Sequence, residues 1–215
     1  MIPMPALTEL DWEHQYRVVS SEYPPINFFE TLVDPGLMDE LFYIEGLTND
    51  RLRDETGDIR LVAVEDRICG PGSSPLMAAF THIGVANRFS DGSFGVYYAS
   101  KSLKTAIEET KFHRARFLAY TAEDAGEIAM RVYVGEVVRP LHDVRVPGYD
   151  ALHDPDDWRP SQAFGREMQA TRSWGMVYRS VRDPPALTIP RQGPHLSYVW
   201  DGERIIGVYE KTLLQ

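Results

Sequence analysis

The sequence predicts an α+β fold: one domain over residues 1–215, with mixed or antiparallel sheets and flanking helices. Three observations lead there. LSYVWDGERIIGVYE places Asp201-Gly202 between two strand-like runs, which is a hairpin signal. The helical stretches are few and separate. Strands and helices do not alternate in the regular way that a doubly wound sheet requires.

The elements follow in chain order. YRVVS, around Arg17 to Val19, is short and β-branched and predicts a first strand, with Pro24-Pro25 as the turn after it. INFFETLV and GLMDELFYIEGL have helical patterns, broken at Asp34-Pro35-Gly36. LVAVE (61–65) reads as a strand and CGPGSSP (69–75) as a loop. FGVYYAS (94–100) has the aromatic and β-branched content of a strand. SLKTAIEETKFHRARFLAYT is the clearest helix. Its Leu103, Ile107, Thr110, Arg114 and Leu118 fall on one face, joined at the margin by Ala106 and Phe117, and Ser100 or Ser102 can cap it. EIAMRVYVGEVV (127–138) predicts a long strand, and PGYDALHDPDDWRP (147–160) a polar surface loop. Pro160 opens a helix ending near Ser173, with Gly175 as its stop. GMVYRSV (175–181) is a further strand, closed by Asp183-Pro184-Pro185, and the hairpin completes the chain.

Composition narrows the function classes. The 215 residues are 43% hydrophobic and 25% charged, and 32 acidic against 22 basic residues leave a net charge of -10. That charge repels phosphate backbones, so nucleic acid is not an expected partner. No run approaches the roughly 18–20 apolar residues that span a bilayer, and MIPMPALTELDWEH lacks the basic start and apolar middle of a signal peptide. A cytoplasmic location is expected. Cys69 is the one cysteine, which rules out an internal disulfide, and Arg67 is its one evident cationic neighbour.

Several motifs carry no chemistry. Gly70-Pro71-Gly72 lacks an amide donor at Pro71, and no complete phosphate-loop pattern follows. His142-Asp143 and His153-Asp154 with Asp156-Asp157 lack metal-ligand spacing and read as solvated loop charge, so no metal is expected. There is no G-x-S-x-G elbow. Glu108 and Glu109 are adjacent on a helix and point about 100° apart, so they cannot straddle a glycosidic bond as a pair.

The stretch RFSDGSFGVYYASKSLKTAIEET (88–110) delivers Arg88 from a turn, Tyr98 from an extended segment and Glu109 from a helix. Glu109 lies at the border of the apolar face beside Ser102, Ala106 and His113, where a carboxylate reaches a pocket while its helix anchors it. On pattern alone, a surface pair between Glu109 and His113 at i, i+4 is the simpler reading.

The segment resembles the core motif of the RES-domain family, the toxins of Xre/Res-type bacterial toxin–antitoxin pairs. Arg88, Phe89, Tyr98, Ser102, Leu103, Ala106 and Glu109 match it in order and spacing, Tyr16-Arg17 matches an arginine on a first strand, and Ser180 in VYRSVRDP matches a serine on a late strand. The resemblance runs from about residue 15 to the end. Two departures stand out: Arg-Phe-Ser replaces the common Arg-Trp-Asn, and Arg17 is far from Arg88. Residues 20–80 therefore look like an insertion of a longer subgroup. Asn49, Arg51 and Arg53 lie inside it, so the second diphosphate-binding arginine is Arg17 or one of Arg51 and Arg53.

The resemblance implies a fold of the diphtheria-toxin ADP-ribosyltransferase type and NAD+ as a consumed substrate. Glu109 would stabilise the ribosyl cation, Tyr98 would wall the nicotinamide, and Arg88 with Arg17 would hold the diphosphate. Ser180 would hydrogen-bond the carboxamide or ribose and orient Glu109. The implied reaction is transfer of ADP-ribose to a protein acceptor, phosphoribosyl-pyrophosphate synthetase among them, with NAD+ hydrolysis or phosphorolysis as the alternative. The implied partner is an Xre- or ParS-like antitoxin covering the pocket.

Overall fold

GEIAMRVYVG sets Ile128, Met130, Val132 and Val134 on one side of the chain and polar or smaller residues on the other. This two-residue period makes it the half-buried inner strand of a four-stranded sheet. The computed structural model describes residues 2–21, 57–122, 124–181 and 191–211, and residues 30, 37, 38 and 40 singly. Among these the elements are strands β1 (Leu7–Thr8) and β2 (Gln15–Ser20), helices α1 (Ser73–Thr81) and α2 (Leu103–Thr121), strands β3 (Gly126–Gly135) and β4 (Leu141–Asp143), helix α3 (Arg159–Ala170), and strands β5 (Met176–Val177), β6 (Arg191–Trp200) and β7 (Ile205–Lys211). The expected helices around Asp34-Pro35-Gly36, the turns at Pro24-Pro25 and Asp183-Pro184-Pro185, and Asn49, Arg51 and Arg53 lie outside the described residues.

The chain forms two compact units. The first comprises Met1–Glu22, Tyr98–Asp157 and Met168–Gln215. It contains an antiparallel sheet in the order β2-β3-β6-β7 and a mixed sheet in the order β1-β4-β5, where β4 and β5 are parallel. The Asp201-Gly202 hairpin joins β6 to β7 as the sequence predicts, with Gly202 at φ 104. Val18, Met130, Val132, Val134, Leu196 and Tyr198 form the core with Ala106 of α2, and Leu103 and Ile107 pack at its edge. Burial pushes the Tyr198 phenol well above its ordinary pKa. Helix α2 starts where Ser102 accepts the Thr105 amide at 3.1 Å, so Ser102 and not Ser100 is the cap. Phe117 is exposed and is not part of the packed face.

The second unit comprises Tyr23–Tyr97 and Trp158–Glu167. Met38, Ile59 and Met77 form its small core, with Val62 and Cys69 at the margin. Here the sequence reading needs three corrections. LVAVE is not a strand but parts of two 3-10 turns, Ile59–Leu61 and Val64–Asp66, because Asp58 caps the first by accepting the Arg60 amide at 3.1 Å. Leu61 and Val64 stay exposed as a result. CGPGSSP is a loop only as far as Gly72; Ser73 begins α1, whose first turn accommodates Pro75 because an amide there has no intrahelical acceptor. FGVYYAS does not form a strand. Among the described residues its one ladder-type contact is the Tyr16–Ser100 bridge at its end, in the first unit.

Candidate functional site

Helix α2 is anchored on the first unit's core through Ala106, and Glu109 rides one turn further on, with its side chain 22% exposed. The Ser180 hydroxyl donates a hydrogen bond to Glu109 Oε1. His113 Nε2 stands 3.9 Å from Glu109 Oε2, beyond hydrogen-bonding reach. Among the described residues no lysine or arginine forms an ion pair with Glu109. Glu108 is spent differently: it pairs with Lys111 at 3.1 Å on the more open side of the helix. The two adjacent glutamates thus diverge as helical geometry requires, and only Glu109 keeps a largely buried carboxylate held by a neutral donor.

Tyr98 belongs to the irregular stretch that runs into the helix cap. Tyr16 and Ser100 exchange two backbone hydrogen bonds of 2.8 Å, which ties this stretch to β2. The next residue on β2 strengthens the tie, since Arg17 Nη1 donates to the Tyr98 carbonyl at 2.9 Å. Arg17 therefore fixes the backbone that carries Tyr98, a role its residue type did not suggest. The Tyr98 ring meets Tyr178 edge to face, with centroids 6.5 Å apart and an interplanar angle of 87°. Strand β5 ends at Val177, so Ser180 sits in the irregular segment after it and not on the expected late strand. Arg17, Tyr98, Glu109 and Ser180 all belong to the first unit.

Arg88 belongs to the second unit, where it is 9% exposed and its guanidinium lies 5.9 Å from the Trp158 ring centroid. The turn that presents it is knotted by short polar contacts. Asn87 Oδ1 accepts the amides of Phe89 and Ser90, and the buried Ser90 hydroxyl donates to the Phe94 carbonyl at 2.6 Å. Helix α3 packs closely on this turn: Gly165 leaves no room for a β-carbon against the Phe89 carbonyl, and Arg166 pairs with Asp91 at 2.5 Å. Ser90, which stands where the resembling family has asparagine, serves as this internal clasp.

His142, Asp143 and His153 make structural contacts, whereas Asp154 and Asp156 are exposed loop charge as the sequence predicts. His142 Nδ1 lies 2.6 Å from the Pro5 carbonyl, and Asp143 takes a two-point contact from Arg145, which holds its carboxyl below the usual range. His153 and Tyr178 make the contacts that sequence reasoning missed, and the aromatic two positions before Ser180 was the available signal.

Comparison with known proteins bears on residues 64–201, which match the family model described as RES domain. Arg88, Tyr98, Glu109 and Ser180 fall inside that stretch, and Arg17 precedes it. The chain is also 27% identical over 206 residues to an uncharacterized protein, y4oC, of Sinorhizobium fredii (strain NBRC 101917 / NGR234), covering 90% of this chain and 86% of that protein.

Proposed function

The chain belongs to the RES-domain family, and we propose that it is the toxin of a toxin–antitoxin pair, that it cleaves the nicotinamide–ribose bond of NAD+, and that it passes ADP-ribose to a protein acceptor. The observation that carries this reading is the Glu109 carboxylate, largely buried, held by the Ser180 hydroxyl and not neutralised by a lysine or arginine among the described residues.

The chemistry asks for such a group. When the bond from ribose C1′ to the nicotinamide nitrogen breaks, its electron pair goes to the ring, which leaves as neutral nicotinamide. Positive charge is left on the sugar. A fixed carboxylate stabilises that charge more in the transition state than in the ground state, which is the condition for faster chemistry. A carboxylate already paired with a guanidinium would do this poorly. The leaving group needs no proton, so no general acid is required. An acceptor nucleophile then bonds to C1′ and gives up its proton.

The other residues take supporting roles in this reading. Tyr98, braced by Tyr178, offers a ring to the flat nicotinamide. Ser180 orients Glu109. Arg88 is assigned to the diphosphate because of its motif position and its planar donor fork, and Arg17 acts there or solely through Tyr98. The fold would be that of the diphtheria-toxin type of ADP-ribosyltransferase, and an Xre- or ParS-like antitoxin would be the partner. No metal is needed for any step.

Incubation with NAD+ in three media tests the reading: buffer, buffer with phosphate, and cell lysate, following both nicotinamide and an adenylate label. Nicotinamide release with label on a lysate protein, phosphoribosyl-pyrophosphate synthetase as the first candidate, is the expected result. Release in buffer alone would make the protein a glycohydrolase, and release that depends on phosphate a phosphorylase. Recovery of intact NAD+ from every medium would reduce the site to dinucleotide binding.

A further inference from the structure

Residues 178–180 lie in irregular structure, yet Ser180 must be held still if it is to orient Glu109. The holding contacts come from the 3-10 turn Asp150–His153 of the same unit. His153 Nε2 accepts the backbone N–H of Arg179 at 3.0 Å. On the other side of the ring, Nδ1 stands 3.0 Å from the Tyr149 carbonyl, which can only accept. The two contacts together require a proton on Nδ1 and a lone pair on Nε2, the neutral Nδ1–H tautomer. Around them, Arg179 Nη2 reaches Asp150 Oδ1 at 2.5 Å, and the Tyr178 ring lies between the His153 ring and Tyr98, with centroids 6.5 Å from each.

We propose that His153 is a positioning residue for Glu109: as the neutral Nδ1–H tautomer it fixes the Arg179 amide, thereby places the Ser180 hydroxyl, and through it sets the carboxylate. This rests on the function proposed above for Glu109. Among the described residues, Asp150 lies on the same turn as the ring, and Tyr178 and Arg179 lie on the segment it holds. A proton on Nε2 would face the Arg179 N–H donor with another donor, so the contact requires the neutral ring.

The test compares His153→Ala, His153→Gln, Ser180→Ala and the double variant His153→Ala/Ser180→Ala in nicotinamide release. His153→Ala should lower kcat about tenfold, as expected for a misplaced group, and leave KM within about twofold. His153→Gln restores an acceptor near the Nε2 position and should recover most of the loss. Adding His153→Ala to Ser180→Ala should produce little further loss, because both act on one contact. Wild-type kcat in His153→Ala, or full additivity in the double variant, would overturn the proposal. A readout independent of turnover keeps the two proposals apart. Long-range proton–nitrogen spectra of the wild-type protein should show His153 as the Nδ1–H tautomer, with the Arg179 amide proton shifting upfield in His153→Ala at unchanged melting temperature. An Nε2–H tautomer would overturn the positioning role whether or not NAD+ is cleaved. Absence of cleavage with the Nδ1–H tautomer and that amide shift intact would overturn the reading of Glu109, and with it a positioning role in catalysis.

Discussion

Ser180→Ala removes one hydroxyl from a carboxylate that has few other partners, so its effect can be worked from the contacts. Glu109 is 22% exposed, and its second neighbour, His113, is 3.9 Å away. A hydrogen bond to a charged group contributes about 1.5–3 kcal/mol, and the partial exposure of Glu109 argues for the lower half of that range. At about 1.4 kcal/mol per factor of ten in rate, loss of this bond should lower kcat about 10- to 40-fold. The carboxylate can recruit water, so stability should fall by less than about 1 kcal/mol, a change of about 2–4 °C or less in melting temperature for a chain of this size. The assay is steady-state nicotinamide release over a range of NAD+ concentrations, with a melting curve on each preparation. Ser180→Thr keeps the hydroxyl and should stay near wild type. A kcat within twofold of wild type for Ser180→Ala in a protein of unchanged melting temperature would refute the claim that this bond sets Glu109.

Three further outcomes follow from the geometry. Gly165→Ala places a methyl group against the Phe89 carbonyl and should destabilise the protein by about 1–3 kcal/mol, read by urea unfolding. Asp143 has a carboxyl held below its ordinary pKa by Arg145, so its stabilisation is present above about pH 3.9 and is lost as pH falls through the lower folded value. Asp143→Asn should therefore lower the melting temperature at pH 7, and the gap from wild type should close as the pH is taken below 4. Tyr98→Phe keeps the ring and should hold KM for NAD+ near wild type, whereas Tyr98→Ala should raise it about tenfold, in line with the 0.5–1.5 kcal/mol of an aromatic contact.

Much of the first unit was legible because its signals are periodic. Met130, Val132 and Val134 repeat every second residue, Ala106 and Leu118 fall on one helical face, and Ser102 and Asp201-Gly202 mark a cap and a hairpin. The second unit was less legible because local side-chain contacts override apolar content. Asp58 turns LVAVE into 3-10 structure, and Gly70-Pro71-Gly72 conceals the start of a helix immediately after it. FGVYYAS has strand composition, but a strand needs a partner along its length, and among the described residues the partner contact is confined to the Tyr16–Ser100 bridge. The residue types at the site were legible and their contacts were not. Ser180 meeting Glu109, Arg17 holding the Tyr98 carbonyl and His153 holding the Arg179 amide are all tertiary contacts that no spacing encodes.

The most direct test of the central claim is the rate of nicotinamide release at saturating NAD+, in cell lysate so that every acceptor is present, for wild type and Glu109→Gln. The substitution keeps the size of the side chain and removes the charge that would face the ribosyl cation. Wild type should release nicotinamide, and Glu109→Gln should do so about 10²- to 10³-fold more slowly with KM little changed. Equal rates in the two proteins, or no release from wild type, would contradict the account.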